Sequence, residues 1–334
     1  MRVVALVVIL LAAHRQPTPP AWEKNWQHGM DLYKQSRWTE AVPFFEQVIR
    51  QLPDGFSGYS MAGKCRMNAG LYEEALSDLK KALSLKPGDG ETFVRVLTVL
   101  WSLKRPAEIL QAVRVRPSDG LDPDYRGDVF RLAGLAALNA NDQAASPAYF
   151  RQSEAAYAEV SGRVEDATFR ERRAETLSWL VRLLNQQART APKEERAVLY
   201  AESNALASTL LALNAGFESL LSAAEAALGS QHYDAAADLA GKAAAADPRS
   251  GFARLYLGQA RSNLGRYMDA VTPLEEAARL LPQNNRRTAY NQLGFVLEKL
   301  GQTGRALEAY RRAGNTERVR KMQDIPAPAV PVQP

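Results

Sequence analysis

Cysteine is almost absent from this 334-residue sequence, and histidine is scarce. Cys65 is the single cysteine, so the chain cannot form an intramolecular disulfide, and its place in a helical pattern predicts a buried thiol. The three histidines, His14, His28 and His232, are far apart, and the sequence has no His-x-x-x-His or paired-cysteine motif. We therefore predict no metal and no cofactor.

The sequence also lacks the motifs of common catalytic sites. It has no Gly-x-x-x-x-Gly-Lys phosphate loop and no Gly-x-Ser-x-Gly nucleophile motif. The acidic pairs Glu73-Glu74, Glu194-Glu195 and Glu275-Glu276 fall at helix starts or on exposed faces, where they favour the helix dipole or water. The sequence therefore predicts a protein that is not an enzyme and has no small-molecule substrate.

The one long apolar run lies at the N-terminus. It spans Val3–Ala13, which is too short for a bilayer that needs about 20 residues, and it follows Arg2. This arrangement predicts a signal peptide at 1–13 and an exported bacterial protein, periplasmic or extracellular. The alternative is a short membrane tether or a cytosolic helix. Prolines predict a flexible linker at 14–21 and a disordered tail at 321–334.

The net charge of +5 is modest for this length. Lys and Arg are spread along the chain, with local clusters at 170–173, 286–287 and 311–312. A nucleic-acid binder would concentrate them on one stripe. We interpret the clusters mainly as solvated helix faces, the alternative being contacts with an acidic partner, and we predict no nucleic-acid partner.

Residues that favour helices dominate the composition, and small residues and prolines recur with a period of 34. One set comprises Gly63, Ala75, Ala82 and Pro87. Equivalent sets are Gly29, Ala41, Val48 and Pro53; Ala224, Ala236, Ala243 and Pro248; and Gly258, Ala270, Ala277 and Pro282. The small residues allow two antiparallel helices to approach closely, and each proline ends the second helix. Each period therefore predicts one helix–turn–helix hairpin.

These marks closely resemble the tetratricopeptide repeat (TPR). The resemblance implies an all-α fold in which the hairpins stack into a right-handed superhelical solenoid. The matching units are 22–55, 56–89, 217–250, 251–284, 287–320 and, with Ser146 and Ser153 in place of alanine, 127–160.

Two stretches depart from the repeat. Residues 90–120 read as a degenerate helix pair that shortens the period. Residues 163–214 read as a long helical hairpin that separates an N-terminal array, 22–160, from a C-terminal array, 217–320.

The resemblance implies a concave groove, lined by the first helix of each hairpin, that holds a partner protein or peptide. The corresponding residues here are Trp26, Met30, Tyr33, Met61, Lys64 and Asn68 in the N-terminal array and Tyr256, Gln259, Asn263, Asn291, Phe295 and Lys299 in the C-terminal array. The first surface would suit apolar side chains, and the second, which is rich in amides, would suit a peptide backbone. The alternative is that Trp26 and Tyr33 simply pack between helices.

One subfamily of TPR domains grips a carboxylate with lysine and asparagine at fixed groove positions. Trp26, Met30 and Met61 occupy those positions here, so we do not expect such a clamp. The sequence thus predicts a non-catalytic scaffold or adapter that mediates protein–protein interactions in the cell envelope. One alternative is a regulatory or substrate-holding subunit of an envelope enzyme complex, and a less favoured one is a cytosolic helical repeat that binds nucleic acid.

Overall fold

The computed structural model describes residues 20–116, 118–142, 144–162 and 166–323. This part of the chain contains seventeen α-helices and no β-strand. The prediction of an all-α repeat solenoid is confirmed. The helices are α1 Ala21–Lys34, α2 Trp38–Gln51, α3 Phe56–Asn68, α4 Tyr72–Leu85, α5 Gly90–Ser102, α6 Pro106–Val115, α7 Pro123–Asn139, α8 Ser146–Val160, α9 Ala167–Thr190, α10 Lys193–Leu213, α11 Phe217–Gly229, α12 Tyr233–Ala246, α13 Gly251–Asn263, α14 Tyr267–Leu280, α15 Gln283–Lys299, α16 Thr303–Ala313 and α17 Thr316–Gln323.

The chain divides into two compact units between Asn141 and Asp142. The first unit contains α1 to α7 and the second contains α8 to α17. The boundary falls inside the predicted repeat 127–160, whose second helix, α8, packs on α9 in the second unit. A fork of hydrogen bonds from Arg173 to Glu154 joins α8 to α9.

A glycine on the first helix of several hairpins lies directly against a side chain of the second helix. A Cβ atom at Gly63 would lie 2.7 Å from Leu79 Cγ, and one at Gly258 would lie 2.5 Å from Leu274 Cγ. Since real Cβ atoms do not approach other carbon atoms so closely, the helices can adopt this spacing only where a side chain is missing. The same sixteen-residue pairing recurs at Gly29 with Phe45 and at Gly294 with Tyr310. The close approach predicted from the small residues is confirmed at these positions.

The turn inside each hairpin contains one residue with left-handed backbone conformation. In the hairpin of α3 and α4 this residue is Gly70, with φ of +78°. The N–H of Gly70 donates to Met67 O at 3.1 Å, and the N–H of Leu71 donates to Arg66 O at 2.9 Å, which is the Schellman pattern of helix termination. Left-handed residues at the equivalent place are Ser36, Gly70, Lys104, Gln231, Gly265 and Gly301. The turn conformation therefore follows the repeat even where its residue is not glycine.

The helix pair predicted at 90–120 is in register with the repeat. α5 begins at Gly90 and α6 at Pro106, each 34 residues after the corresponding helix of the preceding hairpin. The expectation that this pair shortens the period is therefore corrected: the element that is short is the second helix, with ten residues. Leu97 and Ile109 occupy the places of the small residues, and both are fully buried. Large side chains at these places hide the repeat in the sequence.

The second unit contains the two longest helices, α9 with 24 residues and α10 with 21. A buried polar chain fixes this long hairpin to α11. Ser203 Oγ donates to Asn185 Oδ1 at 2.6 Å, and Asn185 Nδ2 donates to Ser222 O at 2.9 Å. The apolar face predicted for the first long helix is fully buried at Leu177, Leu180, Val181, Leu184 and Ala188.

The helices at the two ends extend beyond the predicted repeat bounds. α15 begins at Gln283, four residues before the predicted unit 287–320, because Pro282 can cap the helix. α17 continues to Gln323, three residues into the predicted tail 321–334. The predicted signal peptide at 1–13, most of the linker at 14–21 and the rest of the tail lie outside the described residues.

Candidate protein-binding surfaces

The two groove aromatics predicted in the first hairpin pack against its second helix. The Trp26 ring meets the Phe45 ring edge-on, with 5.5 Å between centroids, and the Tyr33 ring meets the Trp38 ring at 4.9 Å. Trp26 and Tyr33 are half-buried, so part of each ring remains in contact with solvent. These rings therefore serve the packing of the hairpin and leave a reduced aromatic surface.

The other residues predicted for the N-terminal groove differ in exposure. Met30 and Met61 are half-buried against the same apolar cluster. Lys64 Nζ lies over the Tyr33 ring, 4.9 Å from its centroid, while Asn68 is exposed on the last turn of α3. The structure thus brings five of the six residues to one cluster, with Asn68 at its edge.

Tyr256, predicted for the C-terminal groove, instead belongs to the interior of the second unit. It is 9% exposed, and its hydroxyl donates to Glu225 Oε2 at 3.0 Å. Arg189 donates to both oxygens of Glu225 at 2.6 Å, so the three side chains connect α9, α11 and α13. Burial, followed by the charge of Glu225, raises the pKa of Tyr256 well above its usual value. Tyr256 therefore ties helices together and does not present its hydroxyl to a partner.

Three of the predicted C-terminal groove residues, Asn263, Asn291 and Phe295, line one cleft of about 370 Å³. The cleft lies on the side of the unit where the first helices are neighbours, since α13 contacts α15. We call it the amide cleft, because it also contains Gln292 and Asn315. The remaining lining residues are Ser262, Tyr310 and Arg318.

Hydrogen bonds hold part of this cleft in place and leave part of it open. Asn315 Nδ2 donates to Asn291 Oδ1 at 2.8 Å, and Asn263 Nδ2 donates to Gln259 O at 2.8 Å. The Nδ2 of Asn291 and the amide of Gln292 have no hydrogen-bond partner among the described residues. A fixed wall with open amide donors and acceptors can pair with both the N–H and the C=O of a peptide backbone.

Phe295 adds an apolar surface to the amide cleft. It is half-buried, and its ring meets the Tyr267 ring edge-on at 6.3 Å. Lys299, exposed on the last turn of α15, places its Nζ 5.5 Å from the centroid of Phe295. A partner side chain entering the cleft would meet an aromatic face beside a positive charge.

The matches to family models agree with this architecture. A tetratricopeptide repeat model matches residues 27–90 and 221–285, and a second tetratricopeptide repeat model matches 288–313. The chain contains tetratricopeptide repeats. The matched ranges include the TPR hairpins that form both surfaces described above.

Other proteins with TPR segments are similar over part of the chain. WD and tetratricopeptide repeats protein 1 of Mus musculus is 25% identical over 139 residues, which are 41% of this chain and 19% of that protein. The matched region thus spans about a fifth of that relative's length. MamA of Desulfovibrio magneticus RS-1 is 15% identical, with a TM-score of 0.42 over 60% of this chain and 98% of that chain. Yeast Tom70 is 15% identical, with a TM-score of 0.29 over 89% of this chain and 76% of that chain.

Sequence reasoning missed the residues that α17 brings to the amide cleft, Asn315 and Arg318. Asn315 caps α17, since its Oδ1 accepts from the Arg318 N–H at 3.1 Å. The sequence Gly314-Asn315-Thr316-Glu317 carries the signal, because glycine typically ends a helix and asparagine typically begins one.

The described residues offer no group of three or more His, Cys, Asp or Glu side chains placed to hold a metal ion. Within the same residues, no helix combines the length and the apolar character needed to cross a membrane.

Proposed function

We propose that this protein is a non-catalytic TPR scaffold that binds an extended segment of another protein in the amide cleft. One observation carries the proposal: open amide groups stand beside the half-exposed ring of Phe295 on neighbouring first helices. Amides supply specificity for a peptide backbone, and the ring supplies apolar contact area. The half-exposed aromatic rings of the first hairpin are a weaker second surface.

We further propose that the protein acts in the cell envelope after export. The basis is the apolar run Val3–Ala13 behind Arg2, which is typical of a secretory signal. Fractionation of native cells checks this part separately. Recovery of the protein in the cytosolic fraction alone would overturn the localisation and leave the binding proposal standing.

The binding proposal is tested by affinity purification of the tagged full-length protein from gently solubilised envelopes of its native host. The cleft variant is Asn263→Ala/Asn291→Ala. The matched control, Gln47→Ala/Gln111→Ala, removes two exposed amides from the second helices α2 and α6. We expect a defined protein to be recovered with the wild type and the control and to be lost with the cleft variant.

The recovered protein is then purified and titrated against each variant by calorimetry. A loss of affinity of at least about tenfold, or about 1.4 kcal/mol, in the cleft variant alone supports the proposal. Equal affinity for all variants would contradict it. Loss with Trp26→Ala/Tyr33→Ala instead would move the site to the first hairpin. An enzyme that depends on this chain for activity would identify the scaffold as its regulatory subunit.

A further inference from the structure

Positive charge is concentrated in the last three described helices, contrary to the dispersed pattern read from the sequence. Residues 283–323, which form α15 to α17, contain nine Lys and Arg residues and three Glu residues, a net charge of +6. The whole chain carries +5, so all other residues together carry −1. A local excess of this size creates a positive field at one end of the second unit.

The centre of this charge is a cleft of about 740 Å³ between the start of α15 and the end of α16. We call it the basic cleft. Four of its nine lining residues are arginine and none is acidic. Antiparallel packing brings together two arginine pairs that are 24 residues apart in the sequence. The lining consists of Gln283, Asn284, Arg286, Arg287, Tyr290, Arg311, Arg312, Ala313 and Gly314.

Two of these arginines are held by the backbone and not by carboxylates. Arg286 Nε donates to Leu281 O at 2.7 Å, and Arg287 Nε donates to Ala313 O at 3.0 Å. Their terminal Nη groups, and the whole guanidinium of Arg311, make no ion pair within the described chain. An anchored Nε with open Nη donors orients a guanidinium before any partner binds, which lowers the entropy lost on binding.

The start of α15 adds to this field. Pro282 occupies the N-cap without a side-chain hydrogen bond, and the first helical turn contains no acidic residue. Gln283 and Asn284 of that turn line the cleft, so the positive end of the helix dipole points to the same region as the arginines.

We infer that the basic cleft binds a short acidic segment of a partner protein, whose carboxylates pair with Arg286, Arg287 and Arg311. The planar fork of arginine matches a carboxylate, and the chain itself shows this pairing where Arg189 holds both oxygens of Glu225. The cleft is separate from the amide cleft: Arg286 and Tyr290 of α15 line one, while Asn291 and Phe295 line the other.

Carboxylates at the edge of the cleft favour a short acidic segment over a nucleic acid. Glu308 pairs with Arg312 at 2.5 Å, and on the adjoining surface Glu275 pairs with Arg305 at 2.6 Å. A nucleic acid needs a continuous basic track for its successive phosphates. These glutamates interrupt such a track and would repel phosphates beyond the cleft.

The test is fluorescence anisotropy with the full-length protein and three labelled probes: hexaglutamate peptide, hexaglutamine peptide and single-stranded oligouridine RNA. Titrations at about 50 mM and 200 mM salt separate ionic from other binding. The cleft variant is Arg286→Gln/Arg311→Gln. The matched control, Arg320→Gln/Lys321→Gln, removes the same charge from α17, which does not line the cleft. Thermal melts confirm that each variant is folded.

We expect hexaglutamate to bind the wild type and the control within about twofold of each other, and the cleft variant to lose at least about tenfold in affinity. Arg286→Lys/Arg311→Lys, which keeps the charge but not the fork, should lose most of that affinity as well. Equal losses in the cleft variant and the control would overturn the inference, because net charge alone would explain binding. Tighter binding of the RNA, or no hexaglutamate binding at about 1 mM, would also overturn it.

Discussion

The close approach of α13 and α14 at Gly258 makes a measurable prediction for the substitution Gly258→Ala. The added Cβ would lie 2.5 Å from Leu274 Cγ and 2.7 Å from its Cδ2, well inside the contact distance of about 3.5–4.0 Å. Leu274 is fully buried, so it cannot move aside without disturbing its neighbours. Overpacking of this kind costs about 1–3 kcal/mol.

A second effect of the same substitution has the opposite sign. Alanine stabilises a helix interior by about 1 kcal/mol relative to glycine. Gly241 in α12 isolates this gain, because a Cβ there would meet no atom within 4 Å. We therefore expect Gly241→Ala to stabilise the protein by about 1 kcal/mol. Gly258→Ala should be less stable than Gly241→Ala by about 1–3 kcal/mol.

Urea unfolding followed by far-ultraviolet circular dichroism measures both changes, and a double-mutant cycle assigns the cause. Leu274→Ala alone should cost about 2–5 kcal/mol through the cavity it leaves. In that background Gly258→Ala has room and should stabilise, giving a coupling energy of about 1–3 kcal/mol between the two sites. The reasoning would be refuted by equal stability changes at Gly241 and Gly258, or by the same effect of Gly258→Ala in both backgrounds.

Two further predictions concern buried polar groups. Burial raises the pKa of the Cys65 thiol to about 11, so only about 0.1% is thiolate at pH 8; we expect a disulfide reagent to modify the native protein more than about a hundredfold slower than the urea-unfolded protein, and rapid native labelling would contradict this. Tyr256→Phe removes one hydrogen bond to Glu225, which keeps its pairing with Arg189, so we expect a loss of about 1–2 kcal/mol in urea unfolding. The half-buried Tyr233, whose hydroxyl has no partner among the described residues, supplies the control Tyr233→Phe, and equal losses would refute the role of the bond.

The hairpins could be predicted from the sequence wherever packing demands a particular residue type. The spacing at Gly63 and Gly258 leaves no room for a side chain, so glycine is required and its period is visible. Proline likewise follows the second helices at Pro87 and Pro282, where it ends the helical pattern. These requirements are local to one hairpin, which is why a single sequence reveals them.

The pair formed by α5 and α6 shows where this approach fails. Its geometry is that of the other hairpins, but Leu97 and Ile109 fill the places of the small residues. Its turn places Lys104 in the left-handed region at φ of +57°, a conformation that lysine gives no reason to expect. Structure is retained here by contacts with neighbouring hairpins, and those contacts have no signature in the sequence of the pair itself.

The predicted groove residues were separated by a feature outside the repeat. Position within the hairpin correctly grouped Asn263, Asn291 and Phe295 along one cleft. Tyr256 has an equivalent position but is buried, because Arg189 from the long hairpin fixes Glu225 against it. A repeat pattern assigns faces within its own unit, whereas a contact with a non-repeat helix can be recognised only in three dimensions.

The basic cleft has the same origin. Each of its arginine pairs, 286–287 and 311–312, resembles an ordinary solvated helix face when read alone. The cleft forms because α15 begins at Gln283, before its predicted start, and α16 ends at Gly314 in the left-handed conformation, so that the two helix ends meet. Glu308 neutralises only one of the four guanidinium groups within the described chain. Since buried or clustered charge is stable only with a counter-charge, the remaining three arginines are the part of this surface that a partner has most reason to complete.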